Sequence, residues 1–165
     1  MTTIQNARVE QVQQIKDLLS RTWADTYGSL LPEIVIQTAN ASWHSIEALT
    51  AQIENDGVYL PVATNEAGEV IGMATAVLQD DVLILSRLYV DPTQQRQGIG
   101  GLLLQAAIDA HPTARKIHLE VERDNEKGFN FYKKRGFLKT DDRTIFIEDQ
   151  SIPVAEMELI INTDD

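Results

Sequence analysis

The chain has 165 residues, 43% of them hydrophobic and none of them cysteine. That fits one domain with its own core and excludes a disordered chain, a disulfide scaffold and a thiolate metal site. Fourteen basic and 25 acidic side chains leave a net charge of −11, a poor match to nucleic-acid phosphates and a good one to cationic or amine partners.

No apolar run approaches the ~20 residues of a membrane span, and residues 1–10 lack the basic-then-apolar pattern of a signal peptide. A cytoplasmic protein that engages neither membrane nor nucleic acid is expected. The charge is uneven. Residues 91–136 carry eight basic and six acidic side chains, a net +2, so the remainder carries −13. An anionic ligand is expected in that least acidic stretch.

In chain order, Thr2–Val9 reads as a short strand. Val12, Ile15, Leu18, Leu19 and Trp23 follow at helical spacing, interrupted by Tyr27-Gly28 and Pro32. Ser42–Glu54 reads as a second helix, with Trp43, Ile46, Leu49 and Ile53 as its stripe. Val58–Thr64 and Val70–Leu78 are β-rich around a hairpin turn at Asn65–Gly68, and Val82–Val90 is a third strand of this middle region.

A helix is predicted from about Gly98 to Ala110, with Ile99, Leu102, Leu103 and Ala106 inward. Lys116–Glu122 alternates, placing Ile117, Leu119 and Val121 on one face and His118, Glu120 and Glu122 on the other. Asn125–Arg135 reads as a short helix closed by Gly136. Strands near Phe137–Glu148 and Val154–Ile161 end the chain, with Asp149-Gln150 in the turn. The order β-α-α-β-β-β-α-β-α-β-β predicts an α/β fold, a mixed and mainly antiparallel sheet flanked by about four helices, in one domain over 1–165.

The strongest local signal is Gln95-Arg96-Gln97-Gly98-Ile99-Gly100-Gly101, between a strand and a helix. The first amides of a helix have no intrahelical partner and face a bound anion. Glycines let that backbone approach closely, and Arg96 adds a charge-assisted donor. A dinucleotide fingerprint fails because Leu103 stands where its last glycine belongs, and the Lys-Ser/Thr of a Walker loop is absent. A ligand-free, glycine-rich helix start is the plain alternative.

The stretch resembles motif A of the GNAT family of N-acetyltransferases, Gln/Arg-x-x-Gly-x-Gly/Ala, with Gln95, Gly98 and Gly100 in the fixed positions. Leu88-Tyr89-Val90-Asp91-Pro92 resembles that family's fourth strand. Asn125, Phe131, Tyr132, Gly136 and Phe137 match its motif B, where Gly128 replaces the usual Ala. The resemblance implies acetyl-CoA as co-substrate. Its pyrophosphate would lie on the amides of Gln97, Gly98, Ile99, Gly100 and Gly101, and its pantetheine along the backbone of Leu88, Tyr89 and Val90.

The resemblance further implies that Asn125 holds the cofactor or the splay of the strands, while the residue type also suits a helix N-cap. Lys134, in the basic run Lys133-Lys134-Arg135, is the candidate for the 3′-phosphate. Tyr132 is the candidate general acid for the CoA sulfur, and Glu120 the candidate general base acting through water. Trp23, Tyr27 and Leu30 would line the acceptor pocket.

The chemistry wants such groups independently. An amine of pKa ~10.4 is mostly protonated at pH 7, and reaching the neutral form that can attack costs about 4.6 kcal/mol, while the departing thiolate needs a proton. With no cysteine, direct attack in a ternary complex is expected, helped by a fourth-strand amide that polarises the carbonyl.

The expected acceptor is a polyamine or other cationic small molecule. A peptide N-terminal amine, and a non-catalytic acyl-CoA-binding module, are the alternatives. A homodimer is compatible with such a domain. The histidines are too scattered for a metal site, and no metal is expected.

Overall fold

A computed structural model describes residues 1–95 and 97–161. Strands β1 (Thr3–Asn6), β2 (Pro61–Thr64), β3 (Val70–Gln79), β4 (Val82–Val90), β5 (Lys116–Glu122), β6 (Leu138–Ile147) and β7 (Gln150–Ile160) form one sheet. Its order is β1-β2-β3-β4-β5-β7-β6. Every neighbouring pair is antiparallel except β4 and β5, which run parallel.

Among the described residues, five α-helices flank the sheet: α1 (Val12–Tyr27), α2 (Glu33–Ser42), α3 (Ile46–Glu54), α4 (Ile99–Asp109) and α5 (Glu126–Lys134). One core joins Ile15, Leu18 and Leu19 of α1 and Leu49 of α3 to Val62 and Met73. The other joins Ile99, Leu103 and Ala107 of α4 to Leu83, Leu85, Ile117 and Leu119, with Tyr132 and Phe137 against it. The sheet is therefore covered on both faces.

The helix count exceeds expectation because α2 carries a weak pattern. Only Val35 and Ala39 are buried in it, and the β-branched run Ile34-Val35-Ile36 reads as extended chain. The third helix starts later than predicted, at Ser45, whose hydroxyl accepts the Ala48 N–H at 3.1 Å. Trp43 thus lies outside its stripe and is exposed.

On α4 the inward face is Ile99, Leu103, Leu104 and Ala107, while Leu102 points to solvent. The last turn falls on Glu148-Asp149, and β7 begins before Pro153. Glu122 is buried, not aligned with an exposed polar face.

One irregularity positions the site. β4 pairs with β3 through Ala76↔Leu85 and then Thr75↔Arg87, so Ser86 is an extra residue, a β-bulge. Before it, Leu83 and Leu85 face α4. After it, Leu88 and Val90 face α4, while Tyr89 packs toward α1 and α3. The bulge exchanges the faces of the strand.

Candidate active site

The parallel pairing of β4 with β5 stops at Ile84↔His118, although β4 continues to Val90 and β5 to Glu122. The two strands splay, and a cleft of about 620 Å³ opens between them. The Asp91 N–H donates to the Ile71 carbonyl of β3 at 2.8 Å. Backbone groups alternate along a strand, so those of Arg87 and Tyr89 also turn to β3. Those of Leu88 and Val90 turn the other way, to the cleft. The Val90 carbonyl there accepts Gln95 Nε2 at 3.1 Å, and Lys127 Nζ donates to Gln95 Oε1.

At one end of the cleft, Gly98 caps α4 with φ +79°, a left-handed conformation that favours glycine. A Cβ built on it would meet nothing within 4 Å, so the backbone stands open. The first helical bond is Leu102 N–H to the Gly98 carbonyl at 3.1 Å, which leaves the amides of Gly98, Ile99, Gly100 and Gly101 as free donors. At Gly100 a Cβ would stand 3.0 Å from the Phe131 ring, so glycine lets α4 and α5 meet there.

Arg135 lies over the Phe131 ring, 3.7 Å from its centroid, and lines the cleft beside Lys134. Of the run Lys133-Lys134-Arg135, the expected Lys134 and its neighbour Arg135 both reach the cleft. These open amides, the cations of α5 and the free backbone edge of β4 fit the pyrophosphate, phosphate and pantetheine of CoA.

Asn125 caps α5, its Oδ1 accepting the Gly128 N–H at 3.0 Å. A Cβ at Gly128 would stand 2.6 Å from the Asn125 amide, which gives the missing alanine a local reason: the cap needs the room. Tyr132 stands edge-on to Phe131 and Phe137, with ring centroids 5.1 and 5.3 Å away. Burial pushes its phenol well above the usual range, so it holds its proton.

Tyr27 and Tyr89 also line the cleft. Burial raises both phenols, and the Tyr27 phenol interacts with those of Tyr89 and Tyr132 and with Glu122. Glu122 is itself raised by burial, though it accepts the Asp124 N–H at 2.9 Å. Glu120 lines the cleft from β5 and pairs with Arg143 at 3.3 Å. Its neighbour across the sheet is Glu156, which Arg143 also reaches, at 3.7 Å. His118 faces Glu158 at 3.0 Å and does not line the cleft.

The acceptor-side expectations divide. Tyr27 reaches the cleft. Trp23 is buried behind it, 4.7 Å ring to ring, against Trp43 and His44. Its indole N–H is near the Tyr89 hydroxyl but makes no hydrogen bond of ordinary geometry. Leu30 is exposed beyond α1 and outside the lining. Helical spacing alone did not separate the residue on the lip from the one in the core.

Gln97 is exposed and outside the lining, and Arg96 lies outside the described residues. Thr22, Thr26, Arg87 and Lys127 line the cleft without any motif to announce them. No group of side chains with metal-ligand grouping exists among the described residues, and no described helix is long and apolar enough to cross a membrane.

A family model described as "Acetyltransferase (GNAT) family" matches residues 12–137. The chain is 29% identical over 118 residues to the probable N-acetyltransferase Rv2775 of Mycobacterium tuberculosis, covering 70% of this chain and 67% of that protein. It is 26% identical over 146 residues to a spermidine N(1)-acetyltransferase of Thermoplasma acidophilum, covering 84% and 89%.

The PaiA N-acetyltransferase of Thermoplasma acidophilum, solved in complex with coenzyme A, shares the fold with TM-score 0.85 at 23% identity over 98% and 99% of the two chains. The ribosomal-protein-S18-alanine N-acetyltransferase of Escherichia coli shares it with TM-score 0.76 at 21% identity over 100% and 97%. With its splayed strands, open helix start and matching segment, this chain belongs to the GNAT family and is an acetyl-CoA-dependent N-acetyltransferase.

Proposed function

We propose that the protein acetylates a primary amine of a small cationic acceptor, with a polyamine as the first candidate. The observation that carries this is the cleft itself. One end offers open amides and cations for CoA phosphates, and the other offers Glu120 and the phenols of Tyr27, Tyr89 and Tyr132 to an amine. The similarity to a spermidine acetyltransferase and the net charge of −11 support a cationic acceptor.

Acetyl-CoA supplies an acetyl group activated as a thioester. The amides of Gly98 to Gly101, with Lys134 and Arg135, hold its phosphates, and the cleft-facing backbone of Leu88 and the N–H of Val90 hold its arm. The Leu88 N–H faces the cleft, where it polarises the reacting carbonyl. Glu120 takes the ammonium proton through water. The amine nitrogen then forms its bond to the carbonyl carbon as the carbon–sulfur bond breaks, and the electron pair leaves with sulfur. Tyr132, protonated at neutral pH, gives sulfur its proton and regains one as the new amide sheds its second.

A thiol-release assay over polyamines, amino acids, aminoglycosides and peptides tests the acceptor. Spermidine or spermine should give the highest kcat/KM. A preference for peptides with a free N-terminus would replace the polyamine reading by the peptide one.

A further inference from the structure

The cations that line the cleft divide by position. Lys127, Lys134 and Arg135 stand on α5 at the phosphate end, whereas Arg87 comes from β4, where the bulge turns residues toward α1 and α3. Arg87 also differs in its partners. It donates to Gln52 Oε1 at 2.6 Å, Thr75 Oγ1 at 3.2 Å and the Trp43 carbonyl at 2.9 Å. All three acceptors are neutral, and it forms no ion pair among the described residues.

A half-buried guanidinium is ordinarily matched by a carboxylate. Here it is held rigidly by α3, β3 and the α2–α3 turn, and stays charged because a guanidinium does not deprotonate in proteins. The groups around it do not cancel that charge. From α1 come Lys16, which donates to the His44 carbonyl at 3.0 Å, and Tyr27. From the α2–α3 turn comes His44, neutral at pH 7 because burial, Arg87 and Lys16 hold it down to about 3. From α3 and β3 come Gln52 and Thr75, and from β4 comes Tyr89. Glu120 stands on β5, committed to Arg143, and Glu122 interacts with the Tyr27 phenol and does not line the cleft.

We propose that Arg87 is a positioning residue whose fixed, uncompensated charge presents the acceptor amine in its neutral, nucleophilic form. A like charge disfavours the ammonium, so part of the deprotonation that Glu120 must assist is already achieved when the amine enters the cleft. Because the guanidinium is tied down, it does not swing away to relieve the repulsion. The proposal rests on reading the cleft as the site of a primary amine.

The test is the pH dependence of spermidine acetylation from about pH 6 to about pH 10, with kcat and kcat/KM separated. The kcat profile reports groups in the bound complex, and kcat/KM those of free enzyme and free amine. Three variants are compared with wild type: Arg87→Gln, Arg87→Lys, and Gln52→Glu, which sets a carboxylate on the guanidinium while leaving every atom of Arg87 in place.

Arg87→Gln and Gln52→Glu should each move the acidic limb of kcat upward by about one pH unit and leave that of kcat/KM where it was. Arg87→Lys should leave both limbs in place. A loss of rate that is uniform across pH, or a kcat limb that stays put in Gln52→Glu, overturns the proposal, even if Arg87→Gln fails to fold. If spermidine is not acetylated, the polyamine reading falls, and the same profiles on whichever amine the acceptor screen returns decide Arg87. If no primary amine is acetylated, both readings fall.

Discussion

The two ends of the cleft are built from different material. The phosphate end is mostly backbone: four amides at the start of α4, a left-handed glycine and a second glycine that admits Phe131. The acceptor end is mostly side chains, contributed by α1, β4 and β5 and braced by α2 and α3. A backbone cradle tolerates few residue types and so leaves a compact mark in the sequence. A side-chain wall can be assembled in many ways and leaves none. The phosphate end is therefore expected to fail by obstruction, and the acceptor end by changed chemistry.

The largest effect separates binding from chemistry at the point where the two ends meet. Tyr132→Phe removes only a hydroxyl from a ring packed between Phe131 and Phe137. It should lower kcat by roughly 10²–10⁴-fold, with KM for acetyl-CoA little changed. An unchanged kcat under chemistry-limited conditions would make Tyr132 a packing residue and move the boundary between the two ends.

Gly100→Glu tests obstruction. Its side chain must start 3.0 Å from the Phe131 ring and places a carboxylate at the helix start. Acetyl-CoA affinity by calorimetry should fall by about 10²-fold or more, while the fold persists by circular dichroism. Unchanged affinity in a folded variant would remove the loop from the binding site.

The smallest effect belongs to the brace behind the acceptor wall. His44 is buried, and its Nδ1–H donates to Asn40 Oδ1 at 3.1 Å. Burial, then the nearby Arg87 and Lys16, hold its pKa at about 3 against an ordinary 6.5. The unfolded chain takes up a proton near pH 6.5 and the folded chain does not until about pH 3. Stability is thus full above that window and is lost as pH falls through it, by up to about 1.4 kcal/mol per pH unit. In His44→Gln, thermal melts from about pH 7 to about pH 5 should lose this part of the slope. An unchanged slope would assign the acid sensitivity to carboxylates elsewhere.

What the amino-acid order disclosed follows the same division. The strands and the long helices were legible because their apolar periods are strong, and β4, β5 and α4 fell within a residue of their predicted bounds. α2 was not, because only two of its residues meet the core. At the phosphate end, Gly98, Gly100 and Asn125 were legible through their resemblance to the family's motifs, and each solves a backbone problem that few residues solve. At the acceptor end, Tyr27 and Trp23 had the same period and opposite fates. Arg87 gave no signal, because its meaning depends on Gln52, Thr75 and Trp43, which lie 35, 12 and 44 residues away.

The bulge at Ser86 makes β4 a strand of two phases. Upstream, odd-numbered side chains belong to the α4 layer; downstream, they belong to the acceptor. Substitutions along β4 can be accepted one at a time, but its register with β3 cannot slip there. Drawing Ser86 into the ladder, a one-residue slip of β4 against β3, would restore a single phase, turning Arg87 and Tyr89 into the apolar layer under α4 and bringing Leu88 and Val90 out to the acceptor face. The Leu88 and Val90 peptide groups would turn back toward β3 in the same slip. The pairing on either side of one unpaired residue thus keeps two chemistries in step, and diversification of such an enzyme for new acceptors is expected to proceed by exchanging side chains on this strand while its register with β3 stays fixed.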